Sequence, residues 1–216
     1  MLVLGIDEAG RGPVVGSMVI AGVLIDDSKC ARLRKMGVKD SKQVPPEKRE
    51  KLDPQIRKMA VEVHHIEVSA QEIDEKRKRM SLNELEALKM AELIEKFETK
   101  PEKIIIDLPD PDGNMFINRI KKYIDLDMTV IAEHKADVNH PEVSAASIIA
   151  KVERDREIAE LEKKHGITLK TGYPHDPFTI EFLEKLQGEA PDFVRKSWDT
   201  FKKVLDRKYQ KKMSEW

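Results

Sequence analysis

Several things are scarce in this chain, and each scarcity excludes something. There is one cysteine, Cys30, so neither an intrachain disulfide framework nor a cysteine-based zinc cluster is available. Aromatic residues make up only 5% of the chain, and Asn and Gln together number nine. Few labile amides beside 37% charged residues point to adaptation to heat. No long apolar run occurs. The longest uncharged stretch, Gly12 to Ile25, has 14 residues, too few for a helix to cross a bilayer. No basic region precedes the first apolar residues and Asp7 follows almost at once, so no signal peptide is expected and the protein is expected to be cytoplasmic. Neither sign of charge dominates, with 39 Lys and Arg against 40 Asp and Glu.

What is present suits an α/β protein. The 216 residues are 40% apolar, enough for one large domain or one domain with an appendage. The apolar run LVLGI (2–6) stops at Asp7-Glu8, and Gly10, Gly12 and Pro13 mark a turn. SMVIAGVLI (17–25) predicts a buried strand, so the two runs suggest a hairpin. Helices are predicted over 29–35, from Pro45-Pro46 to about 59, from Ser81 with Glu84 as a capping box, over 114–123, and from Pro141 to Lys164. Strands are predicted over 61–68, 103–107 and 127–132. Residues 178–212 read as helical and increasingly basic, and Arg195 to Lys212 holds eight Lys and Arg against two Asp. A local excess of that kind suits a polyanionic partner, although a solvated helix face would look the same. The pattern is an α/β layer with a helical C-terminal extension.

Acids fall at three strand ends: Asp7-Glu8, Asp107 and Asp137. In an α/β sheet, sites form where strands finish. Two carboxylates about 4 Å apart repel by roughly 4 kcal/mol at an effective dielectric near 20, so a cluster of four needs a cation. Oxygen-only ligands favour Mg²⁺ or Mn²⁺, and two ions can hold a scissile phosphate between them. Taken one at a time, such acids more often cap the following helix. Asp7 and Glu8 also point to opposite faces of a regular strand, so both serve one site only where the strand bends or ends. Gly10-Arg11-Gly12 is not a P-loop, because no Gly-Lys-Ser/Thr follows, and the dinucleotide pattern meets Val15 where it needs glycine. It reads as a tight turn whose backbone another chain can approach closely.

DEAGRGP (7–13), KDSK (39–42), IIIDLPD (104–110), AEHKAD (132–137), SAASIIAKVERD (144–155), GYPHDP (172–177) and RKSW (195–198) together resemble ribonuclease HII in its archaeal form. The motifs occur in order along most of the chain. The resemblance implies a ribonuclease-H-like fold, a central mixed five-stranded sheet flanked by helices, with a helical C-terminal part. It implies hydrolysis of RNA in RNA/DNA hybrids and at single ribonucleotides in duplex DNA, leaving 3′-hydroxyl and 5′-phosphate ends. By position, Asp7, Glu8, Asp107 and Asp137 match the metal-binding carboxylates. Gly10, Arg11 and Gly12 match the turn that reads the ribose 2′-hydroxyl, the group that separates RNA from DNA. Tyr173 matches the tyrosine at the junction sugar and Lys42 a phosphate contact. Ser144 and Ser147 match positions that support the site or touch phosphate, and small packing residues would fit there as well. The chain departs from common family residues at Thr171 and His175, and at Val138-Asn139-His140.

On this reading, residues 1–165 form the catalytic domain and 166–216 a helical subdomain that grips substrate, with the protein a monomer. Removing 198–216 is expected to weaken binding and spare the chemistry. The end of the chain, QKKMSEW (210–216), resembles a sliding-clamp (PCNA) box without its second aromatic, which adds a clamp to the expected partners. Two rival readings stay open from the residues: a related nuclease or transferase acting on plain DNA, and an inert hybrid-binding module.

Overall fold

The structure, a computed structural model, describes residues 1–38, 44–187 and 189–214, with the backbone alone at 208, 209 and 211–214. Its strands are β1 (Leu2–Ala9), β2 (Met18–Asp26), β3 (Glu62–Val68), β4 (Lys103–Asp107) and β5 (Thr129–Glu133). Its helices are α1 (Cys30–Met36), α2 (Pro46–Met59), α3 (Ala70–Lys76), α4 (Leu82–Glu95), α5 (Gly113–Ile120), α6 (Ala136–Asn139), α7 (Pro141–His165), α8 (Pro177–Lys185) and α9 (Asp199–Ser214). No described helix is long and apolar enough to cross a membrane.

The strands form one mixed sheet in the order β3-β2-β1-β4-β5, the five-stranded sheet that the family resemblance implies. β1 runs antiparallel to β2 and parallel to β4, and β4 runs parallel to β5. β2 is buried on both faces, which explains its unbroken apolar sequence.

The chain folds as two compact units. The first holds Met1–Ala9, Val19–Glu67 and Ser81–Glu153. One of its cores packs Val19, Ala21, Val23 and Ile25 of β2 with Leu33, Leu52, Ile56 and the Ala145–Val152 stretch of α7. These alternate β2 residues share one face of the strand. Gly5 lets α7 approach β1, since a Cβ there would lie 2.3 Å from the backbone of Glu142. The second unit holds Gly10–Met18, Val68–Met80 and Arg154–Trp216. Its core comprises Val14, Val15, Ile158, Leu169, Leu183, Val194, Phe201 and Val204.

The elements differ from the sequence reading in several places. β1 continues through Asp7 and Glu8 and still pairs Ala9 with Val19, so it does not end at the acids. Ser81 caps α4 by accepting the Glu84 N–H at 3.2 Å, but the Glu84 carboxylate turns instead to Arg119, Lys122 and Tyr123, so only half of the capping box forms. α3, capped by Ser69, is an additional helix whose seven residues are too few to show clear periodicity. The stretch read as continuous helix over 178–212 breaks between α8 and α9. There the backbone bonds elsewhere. Phe193 O accepts from Gly16 N, Arg195 N donates to Val14 O, and Lys196 N and Ser197 N donate to Asp74. Backbone groups committed to tertiary partners cannot also form a helical ladder.

Candidate active site

The parallel register of β1 and β4 sets Ile6 opposite Ile106, so the next pair is Asp7 and Asp107. Neighbouring strands lie about 4.8 Å apart, which puts the two acids side by side. Asp107 Oδ1 accepts the Ala136 N–H at 2.7 Å. Lys135 adopts a left-handed conformation (φ 59°) and starts α6 directly after β5. Asp137 therefore lies in the first turn of α6, next in sequence to the residue that Asp107 holds. Asp7 and Asp137 are 4% and 3% exposed. Glu8 is half-buried, and strand alternation sets its Cβ on the opposite face of β1 from that of Asp7.

The electrostatics show the strain of this grouping. Burial pushes the Asp7 carboxyl up to about 7. The Lys151 ammonium opposes that shift, the neighbouring Asp107 charge adds to it, and the Ser147 hydroxyl and Glu8 N–H oppose it again. Lys151 Nζ donates to Ser147 Oγ at 2.7 Å, so Lys151, Ser147 and Asp7 form a chain of contacts. Ser144 is buried, and its Oγ has no hydrogen-bond partner among the described residues. Lys42 lies outside the described residues.

The residues suit a hard divalent cation: oxygen-only donors, Asp7 and Asp137 buried, whose charge repulsion a cation would relieve. Among the described residues, no three His, Cys, Asp or Glu side chains are already gathered closely enough to hold an ion. Asp7 Oδ1 accepts the Glu8 N–H at 2.7 Å, and Asp107 is turned to Ala136.

Gly10, Arg11, Gly12 and Tyr173 all belong to the second unit. Gly10 has φ +79°, and a Cβ there would lie 2.5 Å from Arg154 Cδ and 2.6 Å from Ser17 O, so only glycine fits. A Cβ on Gly12 would be 3.6 Å from Tyr173 Cε1, which places the turn beside the tyrosine ring. The Tyr173 loop is fastened from several directions. Val14 N and Val15 N donate to Gly172 O. Asp176, which caps α8, accepts from the Thr171 hydroxyl at 2.7 Å and its N–H at 3.0 Å. The Tyr173 and His175 rings lie 5.3 Å apart.

Two buried arginines that the sequence reading did not single out organise this region. Arg154 donates to Val15 O at 3.2 Å and Thr171 O at 2.9 Å, and its guanidinium lies 6.0 Å from the Tyr173 ring centre. Arg195, fully buried, donates to Gly10 O at 2.6 Å, Arg11 O at 3.0 Å and Gly16 O at 2.9 Å. Burial and the nearby Arg154 charge lower its pKa to about 9, so it stays charged at neutral pH. Trp198 Nε1 donates to Gly12 O at 3.1 Å. Lys151 was missed as well, although its i, i+4 spacing from Ser147 on α7 was a usable signal.

The C-terminal helix is more than a basic handle. Phe201 and Val204 belong to the core of the second unit, and Trp198 bonds the 10–12 turn. Removing 198–216 would therefore take core away along with charge, which corrects the expectation that truncation affects binding alone. Of the QKKMSEW stretch only Gln210 has a described side chain, and residues 215 and 216 lie outside the described residues altogether.

The chain is similar to known proteins over most of its length. The family model for Ribonuclease HII matches residues 4–201. Ribonuclease HII of Pyrococcus horikoshii is 47% identical over 210 residues, covering 96% of this chain and 94% of that protein. The crystal structure of the ribonuclease H2 from Pyrococcus horikoshii OT3 superposes with a TM-score of 0.88 at 46% identity, covering 96% of this chain and 98% of that one. The RNase HII in the structure of the PCNA:RNase HII complex from Archaeoglobus fulgidus matches with a TM-score of 0.83 at 40% identity, covering 92% of this chain and 96% of that one.

Proposed function

The chain belongs to the ribonuclease HII family, and from that premise we propose that Asp7, Glu8, Asp107 and Asp137 are the carboxylates with which it acts. It is a divalent-metal-dependent endoribonuclease that hydrolyses the RNA of RNA/DNA hybrids and single ribonucleotides embedded in duplex DNA. One set of observations above all supports the assignment: Asp7 and Asp107 directly follow the paired Ile6 and Ile106 on neighbouring parallel strands, their charges interact, and Asp107 holds the residue before Asp137.

Asp7, Asp107 and Asp137 would hold Mg²⁺ or Mn²⁺, two ions in the reactive complex, with Glu8 as the fourth carboxylate of the set. Bound ions of this kind activate water and neutralise charge at the scissile phosphate. Lys151 and Ser147 orient Asp7 and balance its charge until an ion arrives. Gly10, Arg11 and Gly12 read the 2′-hydroxyl, with Tyr173 against the junction sugar. Lys42 contacts phosphate, and Ser144 supports the site. The C-terminal part, from about residue 166, grips the duplex through sequence-independent phosphate contacts.

The deciding assay is cleavage of a duplex carrying one ribonucleotide, beside an all-DNA control, with Mg²⁺, Mn²⁺ or EDTA. Cleavage at the ribonucleotide alone, with 3′-hydroxyl and 5′-phosphate ends and abolished by EDTA, is the expected result. Equal cutting of the all-DNA duplex would sink the proposal. Turnover by Asp137→Asn equal to wild type would instead remove Asp137 from the site.

A sliding clamp is the further partner proposed for residues 210–216, supported by the likeness to the RNase HII of the Archaeoglobus complex. Capture on immobilised clamp should disappear when 210–216 are deleted. Monomeric state and cytoplasmic location belong to the same reading, and light scattering and cell fractionation test them.

A further inference from the structure

The carbonyls of the 10–12 turn all face one short segment. Arg195 takes Gly10 O and Arg11 O, and Trp198 takes Gly12 O. Arg195 also bonds Gly16 O and lies 4.8 Å from the Trp198 ring centre, so clamp and indole support one another. Arg77 lies 4.8 Å from the same ring, and Asp74 holds the backbone N–H groups of Lys196 and Ser197 at 2.7 and 3.1 Å. α3 thus fastens the segment that holds the turn.

In a trans peptide the C=O of one residue and the N–H of the next point in opposite directions. With the carbonyls of Gly10 and Arg11 drawn toward Arg195, the N–H groups of Arg11 and Gly12 are aimed away from it. Pro13 contributes no donor, so these two amides define the polar edge that the turn presents.

We infer that Arg195, with Trp198, is a positioning residue for ribose recognition: it holds the turn by its carbonyls so that the Arg11 and Gly12 amides present a fixed edge to the 2′-hydroxyl. The inference rests on the proposal that residues 10–12 read the sugar. Arg195 has no surface of its own, so it acts on substrate only through the turn.

The test compares two constants in each variant. One is KM for a duplex with a single ribonucleotide. The other is the inhibition constant of the matching all-DNA duplex, which lacks the 2′-hydroxyl. Trp198→Phe keeps a smaller aromatic ring and deletes the indole donor. Arg195→Lys keeps the charge and part of the bonding, whereas Arg195→Met keeps the bulk alone. Removing each carbonyl bond should raise KM by roughly fivefold to tenfold, leaving the all-DNA constant unchanged. The rise should be larger for Arg195→Met than for Arg195→Lys. A merely structural role would reduce the fraction of active molecules at unchanged KM.

An unchanged KM in folded Trp198→Phe and Arg195→Lys would overturn the clamp, as would a parallel rise in both constants. Where the Arg195 variants do not fold, Trp198→Phe decides alone. Gly12→Ala separates the clamp from the turn it holds, because a Cβ there meets Tyr173 only at ordinary contact distance. If Gly12→Ala raises KM and the clamp variants do not, only the clamp fails. If Gly12→Ala leaves KM unchanged, the reading of the turn fails and the clamp inference with it.

Discussion

Asp107 Oδ1 accepts the backbone N–H of Ala136 at 2.7 Å, so this acid both caps the start of α6 and faces Asp7 across the sheet. The capping role and the proposed metal role can be separated, because asparagine keeps the accepting oxygen and loses the charge. Asp107→Asn should retain the melting temperature and lose at least about a hundredfold in turnover, since metal-borne charge stabilisation is worth several kcal/mol. Asp107→Ala should lose the same activity and melt lower, by about 1 kcal/mol of stability. Melting curves and steady-state turnover on one preparation of each protein check both.

The glycines of the second unit are not equivalent. Gly10 and Gly166 both have positive φ, but a Cβ on Gly10 meets Ser17 O and Arg154 Cδ, whereas nothing lies within 4 Å of one on Gly166. Gly166→Ala should cost about 1 kcal/mol, the backbone penalty alone. Gly10→Ala should cost several times more by adding overpacking. Equal effects in chemical denaturation would show that the crowding at Gly10 carries no energy.

Lys202, Lys203 and Arg207 are exposed on α9, while Phe201 and Val204 of the same helix are buried. Replacing the three cations by glutamine should leave stability intact and weaken duplex binding. The slope of log affinity against log salt should become shallower by roughly 0.9 for each phosphate that is no longer neutralised. An unchanged slope would remove α9 from the duplex interface.

Cys30 donates to Glu142 Oε2 at 3.3 Å, and burial, reinforced by that carboxylate, raises its thiol to about 12. A raised pKa keeps the thiol protonated, and alkylation requires the thiolate. At pH 8 the folded protein should react with iodoacetamide on the order of a thousand times more slowly than a free cysteine, because each pKa unit is about tenfold in thiolate. The rate should keep rising with pH beyond pH 10, where an ordinary thiol has levelled off. Rapid labelling at pH 8 would show that the Glu142 contact does not persist.

Much of the fold was legible locally. Turn residues, caps and apolar periodicity marked β1, β2, β4, α2, α4 and α7 to within a few residues, because backbone preference and burial pattern agree there. The acids stood out because each closed or followed an apolar run. Arg195 did not, although it was noted within RKSW. In a basic stretch it read as surface, and its carbonyl partners lie up to 185 residues away in the chain. The gap between α8 and α9 was hidden for the same reason, since its backbone partners are Val14, Gly16 and Asp74.

Sequence alone determined which side chains this protein has for its chemistry and which segments become strand or helix, since those depend on neighbours within a few residues. The tertiary structure decided that Asp7 and Asp107 stand in register, that Glu8 begins on the other face of β1, and that a buried guanidinium holds the 10–12 turn. Those outcomes depend on strand pairing and on long-range contacts with backbone carbonyls, and a carbonyl carries no mark in the sequence of what will bond to it.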